Sequence, residues 1–499
     1  MNEIGFGALG GILPEIILLI GGLLILLLDM AQTDEQDSGK GFMAVTVVFL
    51  IVALVGVILQ LGMPAYVALA MVDIDPFATF LKILVYTGMI LVAIGGGSYM
   101  NKRATARGEF WTLFIFVTLA MSIAVSANNL LLIFLAIEFL SITSYILAGF
   151  LRENRRSSEA GLKYFIYGSV ASSAMLYGMS LLYGAGGSIY LRNIGEALAA
   201  NAELGNIILP AALLTLVGLG FKASLAPFHQ WTPDTYDGAP TPITTYLSTA
   251  SKAVGFAVMA RTLVVALGAY RVEWVPILAG LSILTMVVGN LAALRQSNVK
   301  RMLAYSSIGQ AGYVLMGLTA VVSSGEGDLT TLGMNGINGL LLYLIAYLFT
   351  NIGAFMVVLA VEETTGSTEI GAFSNLAQRA PGLAWAMFIF LLSLTGIPLT
   401  GGFVGKFYVF GAAIQHQYFW LVIVAIFTAG IGAFYYLNVV RVMFFTDKEA
   451  TVPVRLSVPM LVQLVVFICV GGTIWIGLYP PNIIELANDA SRQLLAMLP

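Results

Sequence analysis

Apolar residues in this chain come in long unbroken runs, not at the two-residue or 3.6-residue spacing of half-buried strands and surface helices. Fourteen runs, near 10–29, 41–62, 77–98, 109–126, 128–150, 162–186, 205–237, 240–266, 275–294, 299–320, 334–361, 381–414, 417–442 and 456–478, approach or exceed the roughly 20 residues that cross about 30 Å of hydrocarbon. The pattern predicts an all-α, polytopic membrane protein of about 14 transmembrane helices.

Two runs are long and interrupted. In 205–237 the break carries Pro227, His229, Pro233 and Asp234; in 381–414 it carries Gly396, Pro398, Gly401 and Gly402. A straight helix of 34 residues would measure about 50 Å at about 1.5 Å per residue, well beyond the bilayer core. Paired broken spans in corresponding halves point to inverted repeats around a transport site. The expected organisation is therefore an N-terminal three-helix segment (1–100), two inverted five-helix repeats each with a broken helix (101–268 and 269–445), and a C-terminal helix and tail (446–499). A faint echo agrees: EFLSITSYILAG (138–149) overlays SSIGQAGYVLMG (306–317), matching Tyr145 to Tyr313 and Gly149 to Gly317.

Charge placement orients the spans. With the N-terminus outside, fifteen of the 23 basic residues fall in inward loops, among them Lys40, Lys102, Arg152, Lys163, Lys300, Arg379, Lys448 and Arg455, while Arg192, Arg271 and Arg492 fall outside and Arg261 near an outer end. That is the bias of the positive-inside rule. Composition agrees with membrane residence: 59% apolar, 10% charged and a mean hydropathy of +0.92, against about 45–50% and about 25% in soluble domains. MNEIGFG lacks the basic region of a signal peptide, so the first run is expected to be retained as a span. The net charge of −3 gives no sign of a nucleic-acid partner. One cysteine, Cys469, excludes a disulfide, and with only His229 and His416 beside it no iron–sulfur cluster, haem or metal site is expected on this chain.

Against that apolar background a few charges stand out. Lys82, near the start of its span, is expected to snorkel to the headgroups, and Glu15 and Asp29 flank the first span. One acid, Glu138, and three bases, Lys222, Lys252 and Lys406, are left inside. A charge at the bilayer centre costs at least about 2.5–3.5 kcal/mol and marks an ion or proton route by default. Glu138 shares a helix face with Ser141 and Tyr145; the structural alternative is a static brace between helices. Lys222 precedes the first break, where it either exchanges a proton or caps freed carbonyls. Lys252 follows a hydroxyl stripe, Thr245, Ser248 and Thr249, suited to a file of water or to bonding its own helix. Lys406, just beyond the second break, is a candidate terminal proton carrier. Ser306, Gln310 and Tyr313, then Tyr343, Tyr347 and Asn351, recur at helical spacing between Lys252 and Lys406 and predict a polar line in the membrane plane or ordinary interhelical bonding. His229, near Asp234, is a relay or a satisfied loop histidine; Lys163 is a positive-inside residue or a guard of the inward opening.

LAIEFLSITSYIL (135–147), GLGFKASLAPFHQWTPDTYDGAPTP (218–242), STASKAVGFA (248–257) and LTGIPLTGGFVGKFYVF (394–410) together resemble the antiporter-like membrane subunits of complex I, the proton-pumping NADH:quinone oxidoreductase. The resemblance covers nearly the whole chain, and the lysine at 406 separates it from a sister subunit with an acid there. It implies that Glu138 and Lys222 modulate each other's charge, that Lys252 connects the halves and Lys406 serves the second, and that His229 and Lys163 assist. It further implies that no cofactor is bound by this chain. NADH, FMN, iron–sulfur clusters and quinone would sit on partner subunits, beside sister antiporter-like subunits, in a bacterial plasma (inner) membrane or a thylakoid membrane. The same fold serves cation/proton antiporters and membrane-bound hydrogenases, and a non-transporting scaffold remains the third reading.

Overall fold

The computed structural model describes residues 10–31, 38–201, 205–321, 334–445 and 456–498; Lys448 and Arg455 lie outside the described residues. The helices, in chain order, are α1 (Leu13–Ala31), α2 (Ser38–Ile58), α3 (Pro76–Arg103), α4 (Arg107–Ser126), α5 (Leu130–Ala148), α6 (Arg155–Gly186), α7 (Leu191–Ala199), α8 (Gly205–Ala223), α9 (Trp231–Gly238), α10 (Thr241–Ser248), α11 (Ala250–Arg261), α12 (Arg271–Ala293), α13 (Val299–Thr319), α14 (Gly336–Thr365), α15 (Leu376–Arg379), α16 (Pro381–Thr395), α17 (Gly401–Gln415), α18 (Phe419–Phe445), α19 (Met460–Leu478) and α20 (Pro481–Leu495). A π-helical turn, Thr262–Ala266, extends α11.

Among the described residues, twelve helices are long and apolar enough to cross a membrane. The predicted runs at 299–320 and 381–414 are the polar helix α13 and the pair α16–α17. Short elements escaped the sequence reading, among them helix α7 and an antiparallel hairpin of β1 (Tyr66–Ala68) and β2 (Val72–Ile74) pairing Tyr66 with Ile74.

Helix starts are set by side chains that accept from orphan amides. Asp75 caps α3 through Ala78 N at 2.7 Å, with Pro76 in the first turn. Asn129 caps α5 at 2.9 Å, Asn298 caps α13 at 3.0 Å, and Asn335 and Asn338 cap α14 reciprocally.

Burial ranks the helices. Helix α14 packs against α3, α10, α13, α16, α17, α19 and α20, which makes it the spine of the fold. The segment containing α10 and α11 is wholly enclosed, whereas α1, α2, α6, α18 and α19 keep broad apolar faces outward. The functional charges therefore belong to the enclosed helices and their neighbours.

Candidate functional site

Both predicted breaks are present. Helix α8 ends at Ala223, Ser224 turns with φ +60°, and α9 resumes at Trp231. Helix α16 ends at Thr395 on Gly396, whose φ of +93° suits a residue without Cβ, and α17 resumes at Gly401. A third interruption, absent from the sequence reading, separates α10 from α11 at Thr249, with φ −120° and ψ −86°, three residues before Lys252.

Lys222 closes α8 but does not cap it. Its ammonium is buried and donates to Ser141 Oγ and Tyr164 OH, both at 3.3 Å. The carbonyl of Phe221 is taken instead by the indole N–H of Trp231 at 3.1 Å, and that indole stacks on Tyr164 at 4.1 Å. Glu138 makes no direct bond to Lys222. It sits one turn from Ser141 on α5, half-buried, and accepts from the Ser172 hydroxyl of α6. Tyr145, two turns from Glu138, leans over Gly168, where a Cβ would collide with its hydroxyl.

Lys252 is enclosed and donates twice to Ser307, to the carbonyl at 2.8 Å and to Oγ at 2.6 Å. Lys406 reaches back across the second break. It holds the freed carbonyls of Leu394 and Thr395, each at 2.8 Å, with its Nζ 4.8 Å above the Tyr313 ring. The capping role left open for Lys222 is thus the arrangement at Lys406.

Between Lys252 and Lys406, three of the predicted polar residues, Ser306, Gln310 and Tyr343, are linked with Tyr436 in one hydrogen-bonded set. Gln310 Nε2 donates to the Leu394 carbonyl at 3.0 Å, the same oxygen that Lys406 binds, and to Tyr436 OH at 3.2 Å. Tyr436 bonds Ser306, the neighbour of Ser307, and Tyr343 donates to Gln310 Oε1. Asn351 donates to Ser248 at 2.7 Å. Tyr313 turns its hydroxyl the other way, donating to Thr428 at 3.1 Å and accepting from Asn290 at 3.2 Å. Tyr347 and Tyr236 face Ser307 without closing a hydrogen bond to it. Tyr236 also faces Ser224, two residues beyond Lys222.

Other expectations are corrected. Lys82 does not snorkel: it is 1% exposed and pairs with Glu15 at 2.7 Å, while Ser122 donates to Glu15 at 2.6 Å. Glu15 is therefore a buried acid and Glu138 a half-exposed one, because α3 and α4 enclose the start of α1. Arg261, placed near an outer span end, is buried and paired with Asp73 and Asp75, at 2.7 and 2.9 Å. Lys300, read as a loop base, is buried and donates to the Ala239 carbonyl at 2.6 Å. Asp234 does not serve His229; it bridges Lys163 at 2.7 Å and Arg301 at 2.8 Å, and His229 Nδ1 has no hydrogen-bond partner among the described residues. Tyr164, Trp231, Ser172, Ser307 and Tyr436 were not singled out. Of these only Ser307, beside Ser306, carried a sequence signal.

Enclosed lysines, broken helices and a polar line joining them define an antiporter-like membrane fold. Residues 127–432 match the family described as NADH:quinone oxidoreductase/Mrp antiporter, TM, and the chain belongs to that family. It is 37% identical over 484 residues to NADH-quinone oxidoreductase subunit N of Desulforamulus reducens, covering 97% of this chain and 98% of that one. Subunit N of Granulibacter bethesdensis is 38% identical over 496 residues, with the same coverage. A chain of respiratory complex I from Thermus thermophilus, with bound aureothin, superposes at TM-score 0.79 and 31% identity over 95% of this chain and 99% of that one. A chain of the Mrp complex from Dietzia sp. DQ12-45-1b shares the fold, at TM-score 0.85 and 19% identity over 98% of this chain and 100% of that one.

Proposed function

We propose that this chain is a proton-translocating membrane subunit of a complex I-type NADH:quinone oxidoreductase. Glu138, Lys222, Lys252 and Lys406 exchange or steer protons, and His229, Lys163, Ser306, Gln310 and Tyr313 are secondary. The observation that carries this reading is the shared Leu394 carbonyl, which joins Lys406 through Gln310 and Tyr436 to Ser306, the residue before Lys252's partner Ser307. A scaffold would have no use for three enclosed lysines, whose desolvation apolar residues avoid.

The chain supplies charge and geometry, not redox chemistry. NADH, FMN, iron–sulfur clusters and quinone belong to partner subunits, and sister antiporter-like subunits flank this one in a bacterial plasma membrane. Glu138 is half-exposed between the outward apolar faces of α5 and α6, so a neighbour's charge can reach it. Carrying one charge against the membrane potential costs about 2.3 kcal/mol per 100 mV, and one pKa unit is worth about 1.36 kcal/mol. Coupled changes of a few units therefore suffice. Fourteen spans, ten of them in two inverted five-helix repeats (101–268 and 269–445), complete the reading. Buried hydroxyls facing each other without contact, such as Tyr236 toward Ser224 and Ser307, suit bridging water between Lys222 and Lys252.

A cation/proton antiporter or a membrane-bound hydrogenase subunit is the second reading, favoured by the likeness to the Mrp chain. Full-length identity of 37–38% to two subunits N weighs toward the first. The expected result is that Lys222→Ala or Glu138→Ala abolishes quinone-linked proton pumping in vesicles while assembly, seen on native gels, survives. Undiminished pumping would sink the assigned roles.

A further inference from the structure

A cavity of about 360 Å³, lined by Tyr99, Arg156, Asp237, Lys300 and Glu362 among others, opens where α3 and α14 end and α10 and α13 begin. It lies at the basic end of the bundle, where Lys102 and Arg103 reach Glu363 at 3.4 and 3.6 Å, which the positive-inside rule places inward. The two adjacent acids differ in company. Glu363 is paired with cations, whereas Glu362 forms no ion pair among the described residues. Its carboxylate accepts from Tyr99 OH at 3.1 Å and from the Thr241 hydroxyl.

Thr241 is fully buried and begins α10, and hydroxyls continue along that helix. Thr245 Oγ1 donates to the Thr241 carbonyl at 2.8 Å, and Ser248 Oγ donates to the Thr245 carbonyl at 2.8 Å. Ser248 then accepts from Asn351, four residues before Lys252. The file spans about 10 Å at about 1.5 Å per residue. Every member is enclosed, in a segment where leucine or alanine would pack without polar atoms to satisfy.

We propose that Glu362 is the proton-collecting carboxylate at the inward mouth of this chain, and that water held by the hydroxyls of Thr241, Thr245 and Ser248 carries the proton from it to Lys252. The inference rests on the proton-translocating reading above. A proton from inward water converts the Glu362 carboxylate to the acid. Its release along the file restores the carboxylate and converts the Lys252 amine to the ammonium, so one proton moves and no electron does. Tyr99 and Thr241 hold the carboxylate between cavity and file.

The test uses the assembled complex in proteoliposomes, with NADH oxidation and lumenal pH recorded across a pH series. Glu362→Gln is expected to slow coupled proton uptake about tenfold at alkaline pH, where proton supply limits, and less at acid pH. Glu362→Asp, or added formate or azide as a diffusible weak acid, should restore the rate. A pH profile equal to the parent's, or a loss that weak acids do not repair, overturns the inlet. Lys252→Met separates the two readings. If it pumps at the parent's rate, the proton-translocating site fails and takes the inlet with it. If it is silent while Glu362→Gln matches the parent, the inlet alone fails.

Discussion

The Lys406 ammonium does two jobs that the Lys252 ammonium does not combine. At the second break it is the donor that satisfies the Thr395 carbonyl and one of two that satisfy Leu394. Lys252 donates to a carbonyl within α13, where the helix ladder already supplies a partner. An unpaired buried acceptor costs about 1–3 kcal/mol. Lys406→Met should therefore lower the thermal unfolding midpoint of the purified complex's membrane arm as well as stop pumping, whereas Lys252→Met should stop pumping with little change in midpoint. Equal destabilisation would refute the distinction. The four interior charges could be read from the chain because each stands in a continuous apolar stretch, while His229, Asp234 and Asp237 lie in the first break and Arg261 near a span end. Partners such as Tyr164 of Lys222 and Ser172 of Glu138 could not: they look like ordinary apolar-run residues until helices far apart in sequence come together.

At the scale of the element, glycine and proline marked two of the three interruptions. The one at Thr249 is set by tertiary packing within STASK and has no breaker to announce it. The Glu15–Lys82 pair escaped for a similar reason, since each residue lies near a span end and only the packing of α1 on α4, beside α3, encloses them. Breaking a buried pair by removing one partner costs about 3–5 kcal/mol, while replacing both with apolar residues is often neutral. Lys82→Met alone should destabilise the arm by about that amount, and Glu15→Leu combined with Lys82→Met should regain most of it. Thermal denaturation of the four members of the cycle decides. Additive losses would mean that the two charges do not stabilise each other.

For the whole molecule, the orientation and the fourteen-span layout make a prediction about access. Cys469 is the one cysteine and is buried, so Cys469→Ser gives a clean background. Glu153→Cys and Asn193→Cys, both at exposed positions, should react with an impermeant maleimide from opposite sides of sealed vesicles, 153 from the inward face and 193 from the outward one. Labelling of both from one face would overturn the layout. The loop charges made this topology legible, because insertion responds to them directly. The depth order of the helices was not legible: α14 and α19 are equally apolar runs, yet one is the enclosed spine and the other a wall.

The amide of Gln310 is held in one orientation. It receives a proton donor from Tyr343 on its oxygen and gives its own N–H groups to Leu394 and Tyr436. Tyr436 OH, which accepts from Gln310, also shares a hydrogen bond with the Ser306 hydroxyl. A primary amide relays a proton only by passing through its imidic form. On the proton-translocating reading proposed above, Gln310 therefore passes polarisation more readily than a proton, and a change of charge at 406 is felt at 252 as a tilt of dipoles.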